Sequence, residues 1–525
     1  MIAALHAVSA LPTAEGDIPA PSIEYTALSP FIVVFAVALA GILVEAFVPR
    51  RLRRPVQITL ALGGLLGALI AVVALHSRRS IVAVGSVAVD GPALFVEGTI
   101  LLLAIGSVLL LAERSVDSTG GSLVADPAAL PGTSDARDLL LSRDTVTEAF
   151  PLLTFSVGGM MLFAAANNLL VMFIALEVLS LPLYLMAGLA RRRRLLSQEA
   201  AMKYFLLGAF ASAFFIYGLA LVYGFAGSVD LGKIHDAVSG TGQGDTYLFL
   251  GMGLLAIGLL FKVGAVPFHS WTPDVYQGSP TPVTAFMSAC TKVAAFGALL
   301  RVFYVAFGES RWDWRPFMWV VAILTMIGGA IFAITQRDVK RMLAYSSIAH
   351  AGFILVGVTA TNRDGLAASL FYLLVYGFTT IGAFAIVGLV RDGADEANDL
   401  SRWAGLGKRA PFVAGSFAFF LLALTGIPLT SGFVGKFAVF SAAVSGHAVG
   451  LVVVAVVTSA VTGFFYARVI VLMFFTDPAP DGPTVALPSA FTAAALGLGL
   501  AVTLVLGVVP SSVLDLAHDA AQFAR

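Results

Sequence analysis

The stretch GLLFKVGAVPFHSWTPDVYQGSPTPVT, residues 258–284, decides how the rest of the sequence is interpreted. It begins as an apolar helix but carries Lys262 where a membrane-spanning helix would meet lipid. Four further residues break the helix or add polar groups to it: Gly264, Pro267, His269 and Asp274. Unpaired backbone groups and charges are costly in hydrocarbon, so a lipid-exposed helix avoids all of these features. The stretch predicts a broken membrane helix past which something polar moves through the protein.

The composition indicates that the main solvent of this chain is lipid. The 525 residues are 59% hydrophobic and only 12% charged, whereas soluble domains carry about 25% charged residues. The net charge of zero gives no indication of a nucleic-acid partner. Cys290 is the only cysteine, and iron–sulfur clusters and structural zinc sites need about four ligands, mostly cysteines. We therefore expect an all-α polytopic membrane protein that holds no metal and no cofactor of its own.

Apolar runs of about 20 residues predict membrane-spanning helices, and the chain contains about fourteen of them. The seventh and twelfth runs are too long and are interrupted, so each is predicted to be one broken helix. The predicted segments are 27–48, 56–76, 93–113, 149–166, 168–190, 199–225, 247–274, 283–306, 316–335, 340–360, 366–390, 411–445, 448–475 and 487–508.

The distribution of Lys and Arg predicts the orientation, because these residues favour the inner side of the membrane. An outside N-terminus places 18 of the 31 basic residues in inner loops and 7 in outer loops. The remaining six lie within the predicted helices. We therefore expect both termini on the outer side.

An internal repeat surrounds the two broken segments. The residues VPFHS at 266–270 match IPLTS at 427–431, which lie 161 positions later. Segments four to eight and nine to thirteen then form two units of five helices. Because five is odd, the second unit crosses the membrane in the opposite direction, which gives an inverted repeat with broken helices near the site, as in many transporters.

The repeat divides the chain into five parts. Residues 1–114 form three leading helices, and 115–148 form a cytoplasmic loop rich in Asp, Ser, Pro and Gly, which we expect to be loosely ordered. The first five-helix unit covers 149–306 and the second covers 307–475. Residues 476–525 contain the fourteenth helix and a tail.

Several ionisable residues lie deep in the predicted helices. Lys262, Lys292 and Lys436 are central, and the stem of a lysine is too short to reach the interface from the middle of a bilayer. Each costs roughly 2.5–3.5 kcal/mol to insert. Glu177 is the clearest deep carboxylate, so the lysines outnumber the acids. Lysines without enough counter-charges can gain and lose protons as their surroundings change, which is what a proton relay requires.

Structural roles compete with function at other polar positions. Lys203 lies nearer the inner side, where a structural ion pair is as good an interpretation as a relay. His350 and His269 fit either a relay or a core histidine with satisfied hydrogen bonds. Structural roles are favoured at helix ends and edges, where Arg301, Arg468, Glu45 and Glu97 lie, and Asp274 is expected to cap the broken helix.

Four motifs resemble the antiporter-like subunits of respiratory complex I, a family that includes cation/proton antiporter complexes of the Mrp type. They are KVGAVPFHSWTPDVYQGSPTPVTAF, SACTKVAAFGALLR, DVKRMLAYSSIAHAGF and GIPLTSGFVGKFAVF. The first motif is highly specific, and the likeness covers segments four to thirteen. Within the family the sequence is most similar to N-type subunits of bacterial NADH–quinone oxidoreductases, since Lys436 stands where M-type subunits have a glutamate. The chain also lacks the long lateral helix of L-type subunits.

This resemblance implies roles for individual residues. Glu177 and Lys262 match an ion pair of segments five and seven, Lys292 matches the central lysine, and Lys436 matches the lysine on the exit side. His269 and His350 match polar positions in or near the water-filled axis, Lys203 matches a lysine of segment six, and Tyr466 matches a polar position of segment thirteen.

The family also implies partners and a location. NADH, FMN, iron–sulfur clusters and quinone are expected in partner subunits and not on this chain. The expected neighbours are the antiporter-like subunit M, small membrane subunits such as K and J, and lipids, in a bacterial cell membrane.

The sequence leaves two alternatives open. The chain could belong to an Mrp-type antiporter, which is driven by ion gradients without a redox partner, or it could be a structural spacer that does not conduct. The proteins that purify with the chain would separate complex I from an antiporter.

Overall fold

The computed structural model describes residues 23–114, 121–124, 132–134, 138, 146–240, 246–393, 395–478 and 482–524. Most of the predicted loop 115–148 lies outside the described residues, as do both ends of the chain. Nineteen α-helices occur in the described part, and helices are the only regular elements that cross the membrane there. They are α1 (Ser29–Phe47), α2 (Arg50–Ala74), α3 (Gly91–Leu111), α4 (Ala149–Ala165), α5 (Leu169–Ala187), α6 (Arg194–Ala226), α7 (Leu231–Gly240), α8 (Thr246–Val263), α9 (Trp271–Gly278), α10 (Thr281–Ala306), α11 (Arg311–Ile334), α12 (Val339–Val358), α13 (Arg363–Leu389), α14 (Leu406–Arg409), α15 (Pro411–Thr425), α16 (Ser431–Ser445), α17 (Val449–Phe475), α18 (Ala490–Val508) and α19 (Ser511–Ala520).

All fourteen predicted segments are helical, which confirms the predicted fold class. Twelve helices of the described part are long and apolar enough to cross a membrane. The fourth segment is the shorter α4, and the twelfth consists of α15 and α16. The seventh segment is likewise divided into α8 and α9. The chain is therefore an all-α polytopic membrane protein. Its two five-helix units each contain five of the predicted membrane segments; with the divided segments and the short loop helices counted separately, they run from α4 to α10 and from α11 to α17.

Some loop elements were not predicted. The ten-residue helices α7 and α19 follow α6 and α18. A hairpin of β1 (Ser80–Val82) and β2 (Val87–Val89) joins α2 to α3, with Ser80 opposite Val89. A second antiparallel sheet has the strand order β4–β3–β5, from Asp395–Glu396, Val390–Asp392 and Thr484–Val485. These elements are too short to give a clear hydrophobic period.

The two breaks have matching geometry. Helix α8 ends at Val263 and is followed by Gly264 with φ +79°, and α15 ends before Gly426 with φ +88°. At each break the following amide reaches back five residues, from Ala265 N to Leu260 O and from Ile427 N to Leu422 O. This is the glycine C-cap that ends many helices, and it needs the left-handed conformation that glycine adopts easily. Each break therefore leaves carbonyl oxygens of a helix C-terminus inside the protein.

The centre of the molecule is formed by α10 and α13, whose membrane-spanning stretches are entirely buried. A helix that is apolar on every face belongs in the interior of a large protein or in lipid. By contrast, α6 and α17 are about one-third buried and present most of their surface outward. Polar groups carried by α10, α12 and α13 are thus kept away from lipid.

Candidate functional site

Lys262 lies in the last turn of α8, directly before the break. Its side chain is buried, and its Nζ donates hydrogen bonds to Ser180 Oγ of α5 (2.7 Å) and Tyr204 OH of α6 (3.3 Å). Rings of Tyr184 and Tyr204 also lie 5.7 Å and 5.1 Å from the ammonium nitrogen. Lys262 is therefore held by hydroxyl groups and aromatic faces.

The expected ion pair between Lys262 and Glu177 is not formed as a direct contact within the described residues. Glu177 is half-buried on α5 and accepts a hydrogen bond from Ser212 Oγ of α6 at 2.5 Å. Ser180, the partner of Lys262, lies three residues after Glu177 and so on the same side of the helix. The prediction of a direct pair is therefore corrected. Glu177 accepts a hydrogen bond from Ser212, and Lys262 donates one to Ser180, on the same side of α5 as Glu177.

Lys292 connects the two five-helix units. It follows a π-helical stretch of α10, Met287–Thr291, and such stretches are frequent at functional sites. Its Nζ donates to Ser347 O of α12 (2.7 Å) and Val263 O (3.3 Å), with the ring of Tyr376 at 5.8 Å. Val263 is the residue after Lys262 and the last residue of α8, so Lys292 touches the end of the broken helix that carries Lys262.

Lys436 occupies the corresponding place at the second break. Its Nζ donates to Leu424 O (3.0 Å), Thr425 O (2.9 Å) and Ser459 Oγ (2.9 Å), and it lies 4.6 Å from the centre of the Phe353 ring. The two carbonyls end α15, and a helix C-terminus carries partial negative charge. In both units, then, a buried lysine binds the carbonyl end of the interrupted helix.

His350 lies between two tyrosines. Its Nδ1 is 2.8 Å from Tyr372 OH of α13, and its Nε2 is 3.3 Å from Tyr466 OH of α17. Tyr466 is in turn hydrogen-bonded to Ser346 Oγ. The structure thus joins two predicted residues, His350 and Tyr466. It adds Tyr372, which the sequence reasoning missed; the spacing of Tyr372 and Tyr376, one helical turn apart in an apolar helix, could have indicated it.

Lys203 belongs to a separate cluster. Its ammonium pairs with Glu199 and with Asp274 of α9, both at 2.6 Å, and Arg341 of α12 pairs with the other oxygen of Asp274. Asp274 therefore links three helices, and Ser270 precedes α9, so the prediction that Asp274 is a helix cap is wrong. Lys203 is partly exposed, and its observed contacts are those of an ion-pair network.

His269 is not joined to the other predicted residues by a hydrogen bond in the described part of the chain. It is partly buried in the turn between α8 and α9, and its Nδ1 has no hydrogen-bond partner there. The described residues also contain no group of three or more His, Cys, Asp or Glu that could hold a metal ion.

A second buried charged group lies on α3 and α10. Arg301 and Asp90 are completely buried and form a two-point ion pair, with nitrogen–oxygen distances of 3.0 Å and 2.7 Å. Glu97, two turns further along α3, is also buried, and its Oε2 has no hydrogen-bond partner in the structure. The sequence placed Arg301 and Glu97 at helix ends and edges, which understated how deeply both are enclosed.

A cavity of about 90 Å³ lies beside the turn from α9 to α10. Lys340, which is buried and donates to Ser279 O at 2.6 Å, is part of its wall. Four buried side-chain oxygens without a hydrogen-bond partner belong to residues that line it: Ser279 Oγ, Thr281 Oγ1, Asn398 Oδ1 and Thr492 Oγ1. Polar cavities of this kind take up water, since each water can satisfy several such groups.

Comparison with known proteins gives the family. The family model "NADH:quinone oxidoreductase/Mrp antiporter, TM" matches residues 166–462. NADH-quinone oxidoreductase subunit N of Parafrankia sp. is 64% identical over 501 residues, or 95% of each chain, and that of Rhodococcus opacus is 61% identical over 97% of this chain and 98% of its own. The chain belongs to the subunit N family.

Solved structures of lower identity share the fold of this chain. A chain of respiratory complex I from Thermus thermophilus is 34% identical, with a TM-score of 0.74 over 93% of this chain and 99% of its own. A chain of the Mrp complex from Dietzia sp. superposes with a TM-score of 0.77 over 94% and 97% of the two chains, but at 23% identity. The Mrp likeness therefore shows the fold alone.

Proposed function

We propose that this chain is a proton-translocating membrane-arm subunit of NADH-quinone oxidoreductase. The observation that carries the proposal is the row of buried Lys262, Lys292, His350 and Lys436, which runs from one helix break to the other. Buried ionisable groups inside a membrane protein mark ion or proton paths by default. Each lysine of the row binds hydroxyl groups, carbonyl groups or both, which can hold an ammonium group and can orient water.

The mechanism follows the order of these groups. Lys262 takes up a proton from the inner side, with the charge of Glu177 nearby to favour the ammonium form. When Glu177 and Lys262 move apart, the proton passes to Lys292, whose ammonium touches the end of α8 at Val263 O. It continues past His350 to Lys436 and leaves on the outer side.

The cavity supplies a place where water can collect at the start of this path. It adjoins residues 277–282, around the turn that follows α9, and its four unpartnered oxygens favour water there.

Moving one charge across 100 mV costs about 2.3 kcal/mol, and we propose that quinone reduction in other subunits provides this energy.

The proposal extends to partners and location. NADH, FMN, iron–sulfur clusters and quinone would be held by partner subunits, so this chain would act as a translocase without redox chemistry of its own. Subunits M, K and J are the proposed neighbours. We propose a bacterial plasma membrane with both termini outside, which the excess of Lys and Arg in the inner loops supports.

Replacing Lys262 or Glu177 with alanine tests the proposal. We expect fewer protons pumped per NADH in liposomes that contain the whole complex, because the first proton carrier or its counter-charge is missing. Assembly, measured by the yield of the purified complex, is expected to survive. Full pumping by both variants would refute the relay and favour the structural spacer.

Ser180→Ala is expected to have a smaller effect than Lys262→Ala. It removes the shorter of the two hydrogen bonds of Lys262, worth about 0.5–1.5 kcal/mol, and leaves Tyr204 in place. Pumping is measured in the same liposomes, with Ser239→Ala in α7 as the control, because the bond that Ser239 Oγ makes among the described residues is to His235 O of its own helix. If Ser180→Ala lost as much pumping as Lys262→Ala, the serine would have to carry the proton itself.

Co-purification separates this function from that of an antiporter subunit. Flavin and iron–sulfur subunits that purify with the chain would support complex I. Small membrane subunits alone would support an Mrp-type complex, whose shared fold leaves that outcome open for the experiment.

A further inference from the structure

His350 is flanked by two aromatic rings, and each of these also covers one lysine of the row. The Tyr376 ring lies 5.2 Å from the His350 ring and 5.8 Å from Lys292 Nζ. The Phe353 ring lies 5.7 Å from the His350 ring and 4.6 Å from Lys436 Nζ. The order along the row is thus lysine, ring, histidine, ring, lysine.

The two rings differ in chemistry. Tyr376 carries a hydroxyl group, so the step from Lys292 to His350 passes a side chain that can donate and accept a proton. Phe353 has no polar atom and is completely buried. The step from His350 to Lys436 therefore passes an apolar ring.

The hydrogen bonds around Phe353 lead away from that step. The two ring nitrogens of His350 face Tyr372 and Tyr466. The ammonium of Lys436 donates to Leu424 O, Thr425 O and Ser459 Oγ, and none of these groups bonds to His350 in the described structure. Proton transfer from His350 to Lys436 needs a connection that these hydrogen bonds do not supply, and the apolar ring of Phe353 lies beside both groups.

We propose that Phe353 is the gate of the outer half of the relay, a positioning residue that keeps His350 and Lys436 apart until Lys436 has lost its proton. This inference rests on the proposed function and adds the control of its last internal step. Apolar constrictions gate ion paths by excluding water.

The charge of Lys436 controls the ring in this scheme. An ammonium held over an aromatic face is attracted to it, so charged Lys436, 4.6 Å from the centre of the ring, keeps the ring in place. After Lys436 releases its proton outward, this attraction disappears and the ring is free to turn. Water can then join His350 to Lys436, and the next proton restores the attraction and closes the path.

The test is the passive proton flux into liposomes that contain the assembled complex, under an imposed pH gradient and without NADH. Phe353→Ala is expected to raise the flux roughly tenfold over the unaltered complex, which needs a barrier lower by only ~1.4 kcal/mol. Phe440→Ala is the matched control, because it makes the same substitution at the neighbouring phenylalanine, whose ring centre lies 6.1 Å from that of Phe353. It is expected to leave the flux unchanged.

Two further variants make the result decisive. Adding Lys436→Ala to Phe353→Ala is expected to return the flux to the starting level, because the leak would run through Lys436. Phe353→Leu keeps an apolar side chain and is measured if the alanine variant does not assemble; a smaller rise is expected. An unchanged flux in Phe353→Ala, or in Phe353→Leu where that variant replaces it, would overturn the gate. If Lys262→Ala still lowered pumping in that case, the relay would stand without the gate, and if neither variant had an effect, both would fail.

Discussion

Replacing Lys292 with methionine is expected to abolish proton delivery through this chain. Lys292 touches both five-helix units, through Val263 O of α8 and Ser347 O of α12. Methionine fills a similar volume but cannot carry a proton, and loss of a positioned proton-transfer group typically costs about 10²–10⁴-fold in rate. The measurement is the number of protons pumped per NADH by the whole complex in liposomes, together with its rate of quinone reduction.

A second substitution separates loss of charge from loss of proton exchange. Lys292→Arg keeps a positive charge, but a guanidinium group does not release its proton in proteins. We therefore expect Lys292→Arg to assemble and still to fail in pumping. A variant that pumped normally with arginine at this position would show that Lys292 supplies charge alone.

The matched control is Lys408→Met, in the short helix α14 before α15. Lys408 pairs with Asp477 at 2.5 Å, and both side chains are well exposed. Asp477 itself lies outside the membrane, where hydrogen bonding to Lys408 lowers the pKa of its carboxyl. Exposed ion pairs contribute little to stability, so this variant is expected to pump normally, whereas normal pumping by Lys292→Met would contradict the relay.

The fold could be predicted from the sequence because the bilayer imposes simple limits on it. A spanning helix needs a long apolar run, and each of the fourteen runs became a helical segment. The breaks were also readable, since Gly264 and Pro267, and Gly426 and Pro428, interrupt runs that are too long for one helix. The short strands and α7 and α19 gave no such signal.

The contacts within the site could not be predicted in the same way. In a soluble helix the apolar face shows which side is buried, but α10 and α13 are buried on every side, so periodicity does not show which faces meet. The sequence therefore identified Lys292 and His350 but not their partners, Ser347 O and Tyr372. Ser180 was missed at Lys262 because serine is common in membrane helices and signals nothing by itself.

The family pattern also misplaced one interaction. It predicted a direct pair of Glu177 and Lys262, whereas the structure gives each a hydroxyl partner, Ser212 for the acid and Ser180 for the lysine. A pattern of residue types records which groups occur together on neighbouring helices. It does not record the distance between them, and a relay that works by moving two charges apart needs more than one distance.

Arg301→Met is expected to lower the yield of folded protein more than any other single change considered. The guanidinium group is completely buried and binds both oxygens of Asp90 and Ala164 O. Removing one partner of a buried ion pair leaves an uncompensated charge, which typically costs about 3–5 kcal/mol. The measurement is the amount of complex that withstands purification and the midpoint of its thermal unfolding.

A double variant shows whether the unpaired charge is the cause. Asp90→Asn together with Arg301→Met removes both charges, and asparagine can still accept the hydrogen bond from Ala93 N that begins α3. Exchanging a buried ion pair for neutral groups is often close to neutral in stability, so we expect most of the loss to be recovered. If the double variant were as unstable as Arg301→Met, the packing of the arginine side chain would matter more than its charge.

The control for both is Arg468→Met on α17. Arg468 is exposed and donates one hydrogen bond, to Ile334 O at 2.9 Å. Both arginines lie toward helix ends in the sequence, but Arg301 is buried and paired with Asp90, whereas Arg468 is exposed. Because exposed substitutions usually change stability by no more than about 0.5 kcal/mol, a large loss from Arg301→Met and almost none from Arg468→Met would assign the effect to the buried charge.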